Sequence, residues 1–220
     1  MKTRAQRIVW GFLIGVIILE GWGILASFGR YPGGFLHGVT KYILQPHASA
    51  MAWLAAAALT AGYSAYSAMG SPIIRKYMLQ PATWSAYWQM RLVAIPMALI
   101  SGFFEEALFR KTLMDYALHH GATVGLQVTL TALMFGFVHA IWGIAGGSIR
   151  GALSAMLSTG ILGAMLGVVY VVGGRSIGPC IAAHVAINLL IEPWLIITAA
   201  TGSWERRGVR TAAKVAISTP

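Results

Sequence analysis

Of the six acidic residues in this 220-residue chain, Glu105 and Glu106 stand side by side inside a long apolar run. Two further apolar runs each contain a histidine, in Phe135-Gly136-Phe137-Val138-His139 and in His184-Val185-Ala186-Ile187-Asn188. An ionisable side chain is costly within a bilayer, so each one there is a candidate functional site. A glutamate and a histidine that share a wet intramembrane cavity can exchange a proton near neutral pH, which is what general acid-base catalysis requires. An imidazole and an amide four residues apart on one helix can both donate to a developing oxyanion, an effect worth a few kcal/mol in a transition state.

Helix geometry sorts these groups. Glu106 and Arg110 are four apart, share a face and can pair, whereas Glu105 is turned about 100° away and is left free for proton chemistry. His184 and Asn188 also share a face. Lys111 to His120 contains neither Pro nor Gly, so the helix bearing the glutamates is expected to continue to a turn at Gly121. An antiparallel hairpin about Gly121 and Ala122 then puts Glu105 and His139 at one depth. Turns near Gly147 and Gly174 leave His184 roughly 14 Å from that depth at 1.5 Å per residue. Either strong tilt of the fifth helix or a non-helical entry to the sixth around Gly178-Pro179 would account for the difference.

The elements that must position these residues are membrane helices. Six stretches have the length and apolarity of a span, namely Ile8 to Phe28, Ala48 to Met69, Trp88 to Phe109, Ala122 to Trp142, Gly151 to Val172 and Gly178 to Ala200. Connectors carry breakers: Pro32-Gly33-Gly34, Pro46, Pro72, Pro81, Gly146-Gly147 and Gly173-Gly174. The expected fold is all-α, a polytopic membrane helix bundle of about six transmembrane helices. It occupies residues 1–202, with the motif-bearing core at about 88–200, before a basic, disordered cytoplasmic tail at 203–220. Glu20 lies within the first span and has no assigned role. Glu192 before Pro193 marks a kink or the practical end of the sixth span. Gly160 to Gly167 is a small-residue face suited to close helix packing or to a dimer. His37, His47, His119 and His120 are read as solvated residues in loops or at a helix end, and the Trp residues at 10, 53, 84, 88, 142 and 204 as an interfacial belt.

Composition supports this reading. The chain is 57% hydrophobic and 10% charged, far from the about 25% charged residues of soluble domains. Its net charge of +10 is not arranged as a basic stripe interleaved with aromatics, so no nucleic-acid partner is expected. Eleven of the sixteen Lys and Arg fall on one side of the six-span arrangement, which predicts both termini in the cytoplasm of an inner or plasma (cell) membrane protein. The apolar run from Ile8 is too long for a signal peptide. The single cysteine, Cys180, excludes an internal disulfide and a cysteine-based metal site within the chain, and reads as a small buried residue.

The three motifs EExxxR, FxxxH and HxxxN, in this order and in separate spans, resemble those of the CAAX protease and bacteriocin-processing (CPBP, or Abi) family of intramembrane proteases. The resemblance runs from Glu105 to Asn188. It implies that Glu105 and His139 activate a water for attack on a peptide carbonyl, and that His184 and Asn188 stabilise the oxyanion. It gives Glu106, Arg110 and Phe135 supporting roles. It further implies a glutamate-type intramembrane endopeptidase with no cofactor or metal, acting on a membrane-embedded or membrane-associated peptide or protein in the lipid bilayer. Two alternatives stand beside it. Glu105, His139 and His184 are ligand types zinc accepts, although no HExxH is present. A non-catalytic immunity or scaffold protein, or a proton-coupled carrier titrating Glu105, would use the same carboxylates without an oxyanion pair.

Overall fold

A backbone crossing lipid must satisfy its own polar groups, which leaves the helix as the natural answer to long apolar runs. The computed structural model describes residues 4–70, 88–145 and 149–201, and these residues contain helices and no strand. The helices are α1 (Arg4–Phe28), α2 (Phe35–Leu44), α3 (Ala50–Gly70), α4 (Trp88–Glu106), α5 (Asp115–His119), α6 (Val124–Ala145), α7 (Ile149–Val172) and α8 (Gly178–Thr201). Between α4 and α5 the chain stays helical as a π-helical segment, Ala107–Met114.

Four stretches are long and apolar enough to cross a membrane: Arg7–Phe28, Leu92–His119, Val124–Ile144 and Ile149–Val172. The protein is therefore an integral membrane protein. The other two expected spans are also helical, in α3 and α8. Thr60, Tyr63, Ser64 and Ser67 dilute α3, and α8 carries His184, Asn188 and Glu192 among its 24 residues. The breakers Pro72, Pro81 and Gly146-Gly147, the residues Trp84 and Trp204, and the tail at 203–220 lie outside the described residues.

Three expectations about helix ends meet the structure directly. The glutamate-bearing helix does continue past Phe109, to His119. It stops because Gly121 takes φ +78°, with Ala122 N–H donating to Ala117 O and Gly121 N–H to Leu118 O, a Schellman ending. Helix α8 does not end at Pro193 but runs through it to Thr201, and it begins helically at Gly178, so no non-helical entry exists. The first connector is not a simple loop. Gly33 and Gly34, at φ +88° and +96°, reverse the chain. Phe35, Val39, Tyr42 and Ile43 then lie on one side of α2 and pack on the core. His37 is thus an exposed helix residue rather than a loop residue.

Glycines set the helix contacts. A Cβ on Gly136 of α6 would collide with Met156 O of α7, and one on Gly163 would lie 3.1 Å from Phe135 Cβ. The small-residue face of α7 therefore packs internally, against α6. Arg175 closes the far end of the bundle: its Nε donates to Asp115 Oδ1 at 2.6 Å and its Nη atoms to Gln127 Oε1 at 3.2 Å, while Tyr170 OH donates to the same carboxylate. This cluster ties the turn before α8 to the α5–α6 turn and so fixes where α8 starts. From there α8 packs chiefly on α4 and α3 rather than on its chain neighbour α7.

Candidate active site

Glu106 and Arg110 lie on one side of the widened turn where α4 passes into the π-helical segment, and both are fully buried. Their closest contact, Arg110 Nε to Glu106 Oε2, is 3.1 Å. Neither atom makes a well-directed hydrogen bond there, so the contact is ionic rather than angular. Arg110 reaches further, donating from Nη2 to Gly163 O of α7 at 2.9 Å and lying 5.1 Å over the Phe135 ring. Thr112 Oγ1, donating to Ala107 O five residues back, supports the wide turn. π-Helical turns of this kind are frequent at functional sites. Ala107–Met114 contains neither Gly nor Pro, and no sequence signal announces the turn.

The other oxygen of Glu106 is also occupied. His184 Nδ1 is 2.8 Å from Glu106 Oε1. A carboxylate can only accept, so Nδ1 is the donor, and the opposite nitrogen, Nε2, faces Glu105 Oε2 at 4.0 Å. This pairing is possible because α4 and α8 approach closely one turn earlier, where a Cβ on Gly102 would lie 2.6 Å from Val185 Cγ2 and 3.2 Å from Val185 N. Gly102→Leu is expected to wedge these helices apart and separate Glu106 from His184. We expect kcat to fall by about 100-fold, the cost of a displacement on the order of 1 Å, while circular dichroism still reports a helical protein.

Glu105 and His139 form the more accessible half of the site. Glu105 Oε2 is 3.5 Å from His139 Nε2, and their side chains are 16% and 15% exposed against none for Glu106 and Arg110. His139 Nδ1 is 2.8 Å from the Phe135 carbonyl, which fixes Nδ1 as the donor and leaves Nε2 of the neutral ring as an acceptor. The gap between Oε2 and Nε2 is too long for a direct hydrogen bond, and both atoms are able to accept from a common water. Phe135 stacks on His139 with centroids 4.5 Å apart and meets His184 at 5.5 Å, so one fully buried ring holds both imidazoles. Asn188 lies one turn beyond His184 and is half-buried.

Six of the seven residues that the motifs single out thus make contacts with one another, and Asn188 lies one turn along α8 from His184. The 14 Å offset expected for His184 is absent because consecutive helices need not be neighbours: α8 leaves α7 for α4 and brings His184 to Glu106. Among the described residues, no group of three or more His, Cys, Asp or Glu side chains is arranged to hold a metal. Two further carboxylates escaped assignment from sequence: Glu20 of α1 and Glu192 of α8 are both buried. Beside the site, Gly23, Phe28, Tyr42, Phe103, Phe104 and Leu108 contribute to a half-open cavity of about 220 Å³.

Residues 86–190 match the family described as Rce1-like, type II CAAX prenyl endopeptidase Rce1-like. No curated protein and no solved structure matches the chain. The matched stretch takes in α4 through most of α8 with every residue of the three motifs, and leaves α1 to α3 outside it.

Proposed function

We propose, from the membership of residues 86–190 in the CAAX protease (CPBP) family, that this integral membrane protein is a glutamate-type intramembrane endopeptidase. Its substrate on this reading is a membrane-embedded or membrane-associated peptide or protein. The observation that carries the mechanism is the division of labour between adjacent carboxylates: Glu106 is consumed by Arg110 and His184, while Glu105 turns Oε2, which has no hydrogen-bond partner, to His139 Nε2 at 3.5 Å.

A water donating to Glu105 Oε2 and His139 Nε2 directs a lone pair at the scissile carbonyl carbon. Glu105 takes a proton as the new C–O bond forms, and the carbonyl oxygen becomes an oxyanion. In its imidazolium form His184 donates from Nδ1 to Glu106 and from Nε2 to that oxyanion, with the Asn188 amide as second donor. Breaking the C–N bond returns the proton to the leaving amine, so one water and one amide give one acid and one amine. On this reading Arg110 holds Glu106, Glu106 holds His184, and Phe135 packs against both imidazoles. Both termini would face the cytoplasm of a cell membrane, in keeping with the distribution of Lys and Arg.

Incubation of the purified protein in lipid with a membrane-peptide library tests this. Wild type should release defined products in the presence of chelator, and His139→Ala should release none. Products that vanish with chelator and return with zinc would replace the water-activating carboxylate by a metal. Uptake driven by a pH gradient, without cleavage, would replace the protease by a carrier. Asn188→Ala is expected to lower kcat by about 100-fold with KM little changed, because an oxyanion donor acts mainly in the transition state.

A further inference from the structure

The proposed mechanism gives no task to α1, which lies outside the stretch matched to the family, nor to the acid buried in it. Glu20 is 9% exposed, and Ser101 of α4, also buried, donates its hydroxyl to Glu20 Oε2 at 2.6 Å. Three residues further along both helices the approach repeats: a Cβ on Gly23 would lie 2.6 Å from the Phe104 ring. Glu20 and Ser101 are 81 positions apart, and so are Gly23 and Phe104, so α1 and α4 run parallel in one register. Helices in lipid gain no hydrophobic force toward one another, and small residues and interhelical hydrogen bonds set their packing instead. Helix α1 depends on such contacts, since Ile14, Ile18, Leu19 and Trp22 are all exposed.

The stretch of α4 gripped in this way is the one that carries the glutamates. Pro96 removes a backbone hydrogen bond within α4 before this stretch, and the π-helical segment begins directly after Glu106. Proline and π-turns are both places where helices change direction, so the helix's own bonding fixes Ser101 to Glu106 less firmly than an unbroken helix would. Helix α8 supports one side, where Gly102 receives Val185. Helix α1 supports another, at Ser101, one turn before Glu105, and at Phe104, immediately before it. We propose that Glu20 is a positioning residue: by accepting the hydrogen bond from Ser101 it locks α1 onto α4 and holds Glu105 in its place opposite His139. A buried carboxyl is costly without a hydrogen bond, so the same bond specifies where along α4 the first helix docks.

The inference rests on the protease reading for its kinetic consequence and not for the contact itself. Glu20→Leu and Ser101→Ala are each expected to lower kcat by about 10-fold with KM little changed, because a displaced base slows the chemical step without loosening the substrate. Glu20→Gln keeps an acceptor for the Ser101 hydroxyl and should restore kcat to within about twofold of wild type. Leu19→Ala, on the exposed side of α1, should leave kcat and KM as they are. Wild-type kcat in both Glu20→Leu and Ser101→Ala overturns the proposal. So does a loss in Glu20→Gln equal to that in Glu20→Leu, which would make the charge rather than the bond the operative feature. Unfolding in one lipid composition tests the contact without reference to cleavage. Ser101→Ala should lower the midpoint in the wild-type background and leave it unmoved in Glu20→Leu, or in Glu20→Ala if the leucine variant fails to fold. Equal shifts in both backgrounds overturn the proposal. Coupled shifts in a protein that cleaves no peptide would overturn the protease reading and leave the clasp between α1 and α4 standing.

Discussion

Glu105→Gln is expected to give a protein that inserts and folds as the wild type does yet cleaves at least about 10³-fold more slowly, within the range that general acid-base groups contribute. The substitution keeps the shape of the side chain and removes its capacity to take a proton. Its structural cost is small for a reason visible in the site: Glu105 is 16% exposed and makes its ionic contacts at 3.5 Å to His139 and 4.0 Å to His184, whereas the buried Glu106–Arg110 and Glu106–His184 contacts do not involve it. Single-turnover cleavage with enzyme in excess reads the chemical step, and the unfolding midpoint in the same lipid reads the fold. Retained cleavage in this variant would remove Glu105 from the role of base and transfer the proton to His139. Lost cleavage with a lowered midpoint would make Glu105 a packing residue.

The contrast between Glu105 and Glu106 was legible in the sequence because it depends on local geometry. Spacing of four residues predicts the Glu106–Arg110 contact, and a hairpin about Gly121 brings Glu105 to His139. What escaped depends on relations that no local pattern records. The offset assigned to His184 assumed that consecutive helices pack side by side. Instead α8 lies on α4, where Gly102 admits Val185, and Arg175 anchors the turn before it through Asp115 and Gln127. The π-helical turn likewise answers a tertiary demand, since Arg110 must serve Glu106, Gly163 O and the Phe135 ring together. Helix α2 was hidden because Pro32-Gly33-Gly34 and Pro46 bracket it, and breakers that close together read as one loop. Helix α3 is less apolar than the four crossing stretches because Thr60, Tyr63, Ser64 and Ser67 dilute it.

Arg110→Met should cost about 3–5 kcal/mol of stability, the penalty for stranding a buried charge, and more than any other single substitution at the site. Arg110 is fully buried, and its removal leaves the Glu106 carboxylate with His184 alone while depriving Gly163 O and the Phe135 face of their cation. The double variant Glu106→Gln/Arg110→Met removes both charges and is expected to lose less than Arg110→Met by itself. That inversion is the signature of a coupled pair rather than of two independent contacts. Both variants should be inactive, because His184 loses the carboxylate that orients its Nδ1 and with it the alignment of Nε2 toward the site. Thermal or denaturant unfolding in one lipid composition separates the effects. A double variant less stable than Arg110→Met would mean that Arg110 acts through packing on Phe135 and the Gly163 carbonyl, and that Glu106 is held in place by His184 rather than by the arginine.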